Sequence, residues 1–135
     1  MDFKNYKLLN FSVMGDSRGN LVSLEENRNI PFAIKRVYYI YNTQDKDRGF
    51  HAHTRLEQVA VVLSGECEFI LDDGRNREVL RLDSPSVGLY IGTGIWREMR
   101  NFSANCVIMV IASEYYDENE YIRNYDEFLK FKGIE

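Results

Sequence analysis

Turn signals recur along this chain at intervals of about 8–12 residues, which leaves no room for a long element between Lys7 and Ala112. They are Gly15-Asp16-Ser17-Arg18-Gly19-Asn20, Asn27 to Pro31, Asn42 to Asp47, Gly65, Asp72-Asp73-Gly74-Arg75 and Ser84-Pro85. Gly, Pro, Asn, Asp and Ser each favour the backbone geometry of a tight turn, and Asp73-Gly74 supplies the positive φ that a hairpin needs. Between these signals lie strand-like runs: Lys7-Leu8, Leu21 to Leu24, Ala33 to Tyr41, Gln58 to Ser64, Glu66 to Leu71, Glu78 to Leu82, Val87 to Ile91 and Cys106 to Ala112. Gln58 to Ser64 is almost continuously apolar, as a strand buried on both faces would be, whereas Glu66 to Leu71 alternates. Many short strands with turn chemistry between them predict an antiparallel sandwich or barrel. Only the tail departs. In Asp117 to Phe131 the residues Tyr121, Ile122, Tyr125, Phe128 and Leu129 fall at helical spacing, which predicts one amphipathic C-terminal helix packed on the barrel or on a second subunit.

The 135 residues suffice for one domain with a sizeable core. A net charge of −4, with acids and bases intermixed, argues against a dedicated nucleic-acid surface. No apolar run reaches the length of a membrane span, and Met1-Asp2-Phe3-Lys4 lacks a signal-peptide core, so a cytoplasmic protein is expected. Cys67 and Cys106 have no metal-ligand spacing and lie in apolar runs, which predicts buried, reduced thiols.

Gly49-Phe50-His51-Ala52-His53 holds the only two histidines of the chain. On a strand, the i, i+2 spacing puts both imidazoles on one face. Imidazole exchanges protons near pH 7 and also ligates metals, so the pair suits either proton transfer or, with Glu57, a metal site. Arg36-Val37-Tyr38-Tyr39-Ile40-Tyr41 precedes the histidine run and offers phenols as partner acids. If it pairs nearby, either Arg36, Tyr38 and Ile40 or Val37, Tyr39 and Tyr41 face inward, and periodicity leaves that choice open. Arg18, Arg36, Arg48, Arg97 and Arg100 supply guanidinium forks that match phosphate oxygens, as a nucleoside diphosphate would present.

The stretch from Gly49 to His53, with Glu57 and Gly65, resembles the first motif of the cupin superfamily of small β-barrels. Gly92 to Asn101 resembles the second, except that Arg97 stands where metal-binding members carry histidine. A guanidinium cannot ligate a cation and repels one. At finer grain the chain resembles the bacterial sugar 3,4-ketoisomerases acting on dTDP-4-keto-6-deoxyglucose. The likeness is carried by Asp16 to Val22, Ile34 to Ile40, Arg48 to His53, Leu71 to Gly74, Asp83 to Tyr90 and Ala112 to Asp117. It implies an all-β cupin jelly-roll barrel of antiparallel strands with one C-terminal helix, spanning residues 1–135 as a single domain. It further implies a homodimer with a dTDP-sugar substrate, no metal and no cofactor.

By that resemblance, tautomerisation runs through an enediol. His51 is the base at C3′, His53 carries the hydroxyl proton between the C3′ and C4′ oxygens, and Tyr38 protonates C4′. Arg18 reaches the nucleotide phosphates, with a crossing of the dimer as one route, while Arg36, Arg48 and Arg97 are further substrate-binding candidates. Some members carry histidine at the position of Arg97, where it could protonate the opposite face. Arginine there points to a gluco-configured 3-keto product, with the galacto epimer as the alternative. The product would feed an aminotransferase in making a 3-amino-dideoxysugar for surface glycans such as O-antigen, lipopolysaccharide or S-layer. Competing readings are a dTDP-sugar 3,5-epimerase, a non-catalytic nucleotide-sugar-binding cupin and a metal cupin oxygenase.

Overall fold

Gln58–Ser64 (β6) is buried on both faces because each face packs on a different cluster. Ala60 and Val62 point into a core with Phe69, Leu71, Leu89 and Ile108, while Val59 and Val61 pack outward on Phe11, Ile30 and Phe32. In the second cluster Ile30 and Phe32, with Val22, Leu24 and Ile34 packed beside them, come from the connection between residues 22 and 35, which covers this face of the sheet. The computed structural model, which describes residues 3–134, places β6 at the centre of one five-stranded antiparallel sheet. Its neighbours are Val87–Ile91 (β9) and Val107–Ala112 (β11), with Tyr6–Asn10 (β1) and Arg36–Ile40 (β4) outermost. Met14–Asp16 (β2) and Gly19–Leu21 (β3) form a separate exposed hairpin.

The facing sheet contains Arg48–His53 (β5), Cys67–Asp72 (β7), Arg77–Leu82 (β8), Trp96–Arg100 (β10) and Tyr121–Ile122 (β12). Its order is β12-β5-β10-β7-β8. The predicted antiparallel jelly roll is therefore present, with its main core between the sheets. Tyr125–Phe131 (α1) covers the outside of the second sheet, where Phe128 packs with Trp96 and Ala52. At the hairpin between β7 and β8, the Asp73 carboxylate accepts from the backbone N–H groups of Arg75 and Asn76, and Gly74 takes φ 98°. Cys67 and Cys106 are buried free thiols. Among the described residues no helix is long and apolar enough to cross a membrane.

The tail corrects one expectation. Instead of a helix from Asp117 to Phe131, a 3-10 turn (Glu118–Glu120) leads into β12, and α1 has only seven residues. Two interactions stop the helix from extending backward. Asn124 caps it by accepting from Glu127 N–H. Upstream, the buried Glu120 carboxylate accepts from the N–H groups of Arg55 and Leu56 and from the Thr54 hydroxyl, which pins the segment extended along β5. Three smaller differences follow from pairing. The expected run Leu21 to Leu24 is strand only through Leu21, Ala33 to Tyr41 is strand only over Arg36–Ile40, and β10 emerges from a stretch too charged to read as a strand.

Candidate active site

The site is assembled where β5 and β10 lose register. Between Arg97 and Glu98 the pairing shifts, and opposite that bulge Gly49 and Phe50 take φ 93° and 61°. A Cβ at Gly49 would lie 2.9 Å from the Arg97 carbonyl oxygen, so only glycine lets the strands approach there. Immediately beyond the bulge, His51 and His53 stand edge to face with ring centroids 4.9 Å apart. Tyr121 of β12, paired with His53, closes over both at 4.9 and 4.5 Å.

Across the barrel, β4 resolves the alternation left open by the sequence: Arg36, Tyr38 and Ile40 turn inward, while Val37 and Tyr39 are exposed. Tyr38 shares the deep end of the cavity with His51, Gln58, Arg97 and Met99, around a chamber of about 30 Å³. That chamber lies behind a cleft of about 610 Å³, whose lining includes Arg36, Arg48, His51, Tyr116, Tyr121 and Arg123. Arg36 lies over the rings of Tyr38 and Tyr116 at 5.2 and 5.7 Å.

Arg97 is the electrostatic centre. Only 2% exposed, it donates from Nη1 to Gln58 Oε1 at 2.6 Å and from Nε and Nη2 to the Ile95 carbonyl. None of the ion pairs among the described residues includes it. Burial draws its guanidinium down to about 10, which still leaves it charged at neutral pH. A buried cation with only neutral partners is unfavourable unless an anion completes it. Burial first, and Arg97 second, push His51 down to about 3 and His53 lower still. Both imidazoles are therefore neutral at pH 7. His51 Nδ1 and both nitrogens of His53 are buried without a hydrogen-bond partner, so they are free to address a ligand. Burial raises the Tyr38 phenol, partly offset by Arg97 and by the Gln58 hydrogen bond, so Tyr38 is held in its acid form.

The sign of the pH dependence follows. A histidine depressed by folding stays neutral as pH falls below its ordinary 6.5, so a base with this environment keeps working there. The acid limb of kcat/KM, which reports groups of the free enzyme, is expected well below pH 6.5; a limb at 6.5 would show that His51 is not so buried. The fold itself loses stability below about pH 6.5, since the unfolded chain takes up protons the folded one refuses.

The five expected residues other than the two histidines meet differently. Tyr38 and Arg97 join His51 in the deep chamber, His53 is buried beside His51 with ring centroids 4.9 Å apart, and Arg36 and Arg48 reach the cleft. Arg18 does not: it lies at the exposed β2–β3 turn, paired with Asp16. Glu57 turns to the opposite side, where its carboxylate accepts from Tyr90. Among the described residues no three His, Cys, Asp or Glu side chains are placed to hold a metal. Arg100 pairs with Glu68. Sequence reasoning missed Gln58, Tyr121 and Arg123. Asn124 followed by Glu127 is a capping signature that would have started the helix after Tyr121 and released that tyrosine for the site.

A sequence profile of the FdtA family (WxcM-like, C-terminal) matches residues 4–133. The TDP-4-oxo-6-deoxy-α-D-glucose-3,4-oxoisomerase of Aneurinibacillus thermoaerophilus is 59% identical over 126 residues, 93% of this chain and 91% of that protein. Among solved structures, the WlaRB TDP-quinovose 3,4-ketoisomerase of Campylobacter jejuni superposes with a TM-score of 0.92 at 53% identity, covering 94% of this chain and 98% of that one. The QdtA sugar 3,4-ketoisomerase of Thermoanaerobacterium thermosaccharolyticum, in complex with TDP, superposes with a TM-score of 0.94 at 44% identity over 96% of each chain.

Proposed function

The chain belongs to the FdtA (WxcM-like, C-terminal) family and is a TDP-sugar 3,4-ketoisomerase, and from that premise we propose that it converts dTDP-4-keto-6-deoxy-D-glucose into dTDP-3-keto-6-deoxy-D-glucose. The observation that carries the proposal is the convergence of the neutral His51 imidazole, a protonated phenol and a buried guanidinium on one cavity, with the second imidazole, His53, packed against His51.

The C3′ hydrogen is acidic because it neighbours the C4′ carbonyl. His51, neutral and buried, takes that proton, and the electron pair forms the C3′–C4′ double bond of the enediol. Negative charge develops on oxygen in this step, and the fixed positive charge of Arg97 lowers its energy without reorganisation. His53, whose nitrogens have no protein partner, carries the hydroxyl proton from the C3′ oxygen to the C4′ oxygen. Tyr38 then delivers a proton to C4′. One C–H bond breaks, one forms, and the carbonyl moves by one carbon with no net change in oxidation. Acid–base groups supply the whole reaction.

Arg36 and Arg48 in the cleft, joined by Arg123, suit the diphosphate. Arg18 would complete the site only from a second subunit. The β2–β3 hairpin exposes Met14 and Leu21, and the outermost strand β4 exposes Val37 and Tyr39, which together favour a homodimer built on these surfaces. The product's 3-keto group is the chemistry that an aminotransferase consumes, which suits a cytoplasmic route to a 3-amino-dideoxysugar of surface glycans.

The deciding experiment is proton NMR of dTDP-4-keto-6-deoxyglucose with purified protein and a chelator in deuterated water. A 3-keto product carrying deuterium at C4′ is expected. Exchange at C5′ would mark an epimerase, and a bound but unchanged sugar nucleotide a binding protein. Loss of turnover on chelation would restore a metal. The gluco configuration rests on Arg97, a guanidinium that stays charged at neutral pH and turns its N–H groups to Gln58 and the Ile95 carbonyl, where a histidine could act as a second acid, and quinovose, 6-deoxyglucose, is the sugar named for the Campylobacter enzyme. Arg97→His is expected to add galacto product to the mixture; an unchanged product ratio would remove the basis for this assignment.

A further inference from the structure

We propose that Gln58 is a positioning residue that turns the Tyr38 proton toward the substrate, using Arg97 to fix which way its amide faces. The inference rests on Tyr38 being the acid of the reaction proposed above. Gln58 is 5% exposed and lies at the first position of β6, directly between the two groups. Its Oε1 is 2.6 Å from Arg97 Nη1, and its Nε2 is 3.0 Å from Tyr38 Oη.

An amide can be built either way round, but here the chemistry allows one orientation. A guanidinium has donors and no acceptor, so the atom facing Arg97 must be the carbonyl oxygen. The atom facing Tyr38 is then the amide nitrogen, which can only donate. The phenol oxygen accepts that bond, and its own hydrogen is excluded from this direction. What remains open to it is the side facing the cleft that Tyr38 lines with His51 and Met99, where the reacting carbons would lie. Gln58 therefore converts a fixed charge on β10 into a fixed proton direction on β4. Had the residue been glutamate, it would accept from both neighbours and draw the phenol hydrogen away from the cleft. A buried glutamine with both ends engaged also explains why a polar residue begins the central strand of its sheet.

The test separates the two proton transfers. In deuterated water, proton NMR follows the appearance of the 3-keto product and, independently, deuterium entering C3′ of the remaining 4-keto substrate. Gln58→Glu has nearly the same shape and gains an ion pair with Arg97. Gln58→Asn leaves the charges unchanged but shortens the bridge, and serves should the first variant fail to fold. In either variant, product formation is expected to fall about 10²-fold, while the ratio of C3′ exchange to product formation rises about tenfold or more, because enediol formation by His51 persists. Tyr38→Phe should show the same split, and combining it with Gln58→Asn should add little, as for two residues acting as one unit. Equal loss of exchange and turnover in the Gln58 variants, with the split kept in Tyr38→Phe, would overturn the role of Gln58 alone. A Tyr38→Phe protein that forms product at the native rate would overturn both this role and the acid assignment.

Discussion

His51→Asn is expected to lower turnover about 10²- to 10⁴-fold, the range lost when one positioned proton-transfer group is removed. Asparagine preserves much of the side-chain volume but cannot take a proton from carbon. The deficit should fall on kcat, with KM within a few-fold of native, because the cleft arginines proposed to hold the diphosphate are untouched. The diagnostic readout is deuterium at C3′ of recovered substrate. Removing the base stops enediol formation, so no label should enter, in contrast to changes on the Tyr38 side, where label enters without product. A His51→Asn protein that still exchanged C3′ at the native rate would transfer the base role to another group, with His53 the nearest imidazole at 4.9 Å.

The second large effect lies outside the cavity. Glu120→Ala removes one carboxylate and strands the N–H groups of Arg55 and Leu56 and the Thr54 hydroxyl, all of which donate to it. Of these donors only the N–H of Leu56 belongs to a buried residue, and a buried donor left without a partner is worth about 1–3 kcal/mol, so a loss of about that size is expected in urea or thermal unfolding. Turnover should fall further than the residual fold would explain. Glu120 immediately precedes Tyr121, the ring that closes over both histidines, and releasing β12 opens the buried site to water. Glu120→Gln, which keeps an acceptor for part of this set, should recover some of both losses. A variant with native stability would mean that β12 is held mainly by its backbone pairing to β5.

The strands were legible wherever packing alone decides the residue. Val59 and Val61 alternate with Ala60 and Val62 in β6, and both faces are apolar because both are covered. Legibility failed where a residue serves chemistry instead. In β10 the buried position opposite His51 is Arg97, so the pattern reads as charged and the strand is hidden. In the tail, one aromatic series serves two structures: Tyr125, Phe128 and Leu129 pack α1, while Tyr121 belongs to the site. The histidine pair could be found because it is unique in the chain and spaced for one face. Gln58 could not, because its meaning depends on Arg97 and Tyr38 meeting it from two other strands. Arg18 illustrates a further limit: its hairpin forms locally and leaves it exposed beside Asp16, away from the cleft where the resemblance put it.

Tyr38 and Gln58 ride on one sheet, while His51, His53 and Arg97 ride on the other. The hydrocarbon layer between the sheets is thus a spacer that sets the gap between Tyr38, the proposed acid, and His51, the proposed base. Trimming Phe69 or Leu71 to smaller residues would let the sheets settle toward one another or slide. A shift of an ångström there leaves a folded protein whose proton donor and acceptor no longer address neighbouring carbons. In this barrel the interior is a gauge as well as a core, and catalytic alignment is expected to be lost before the fold is.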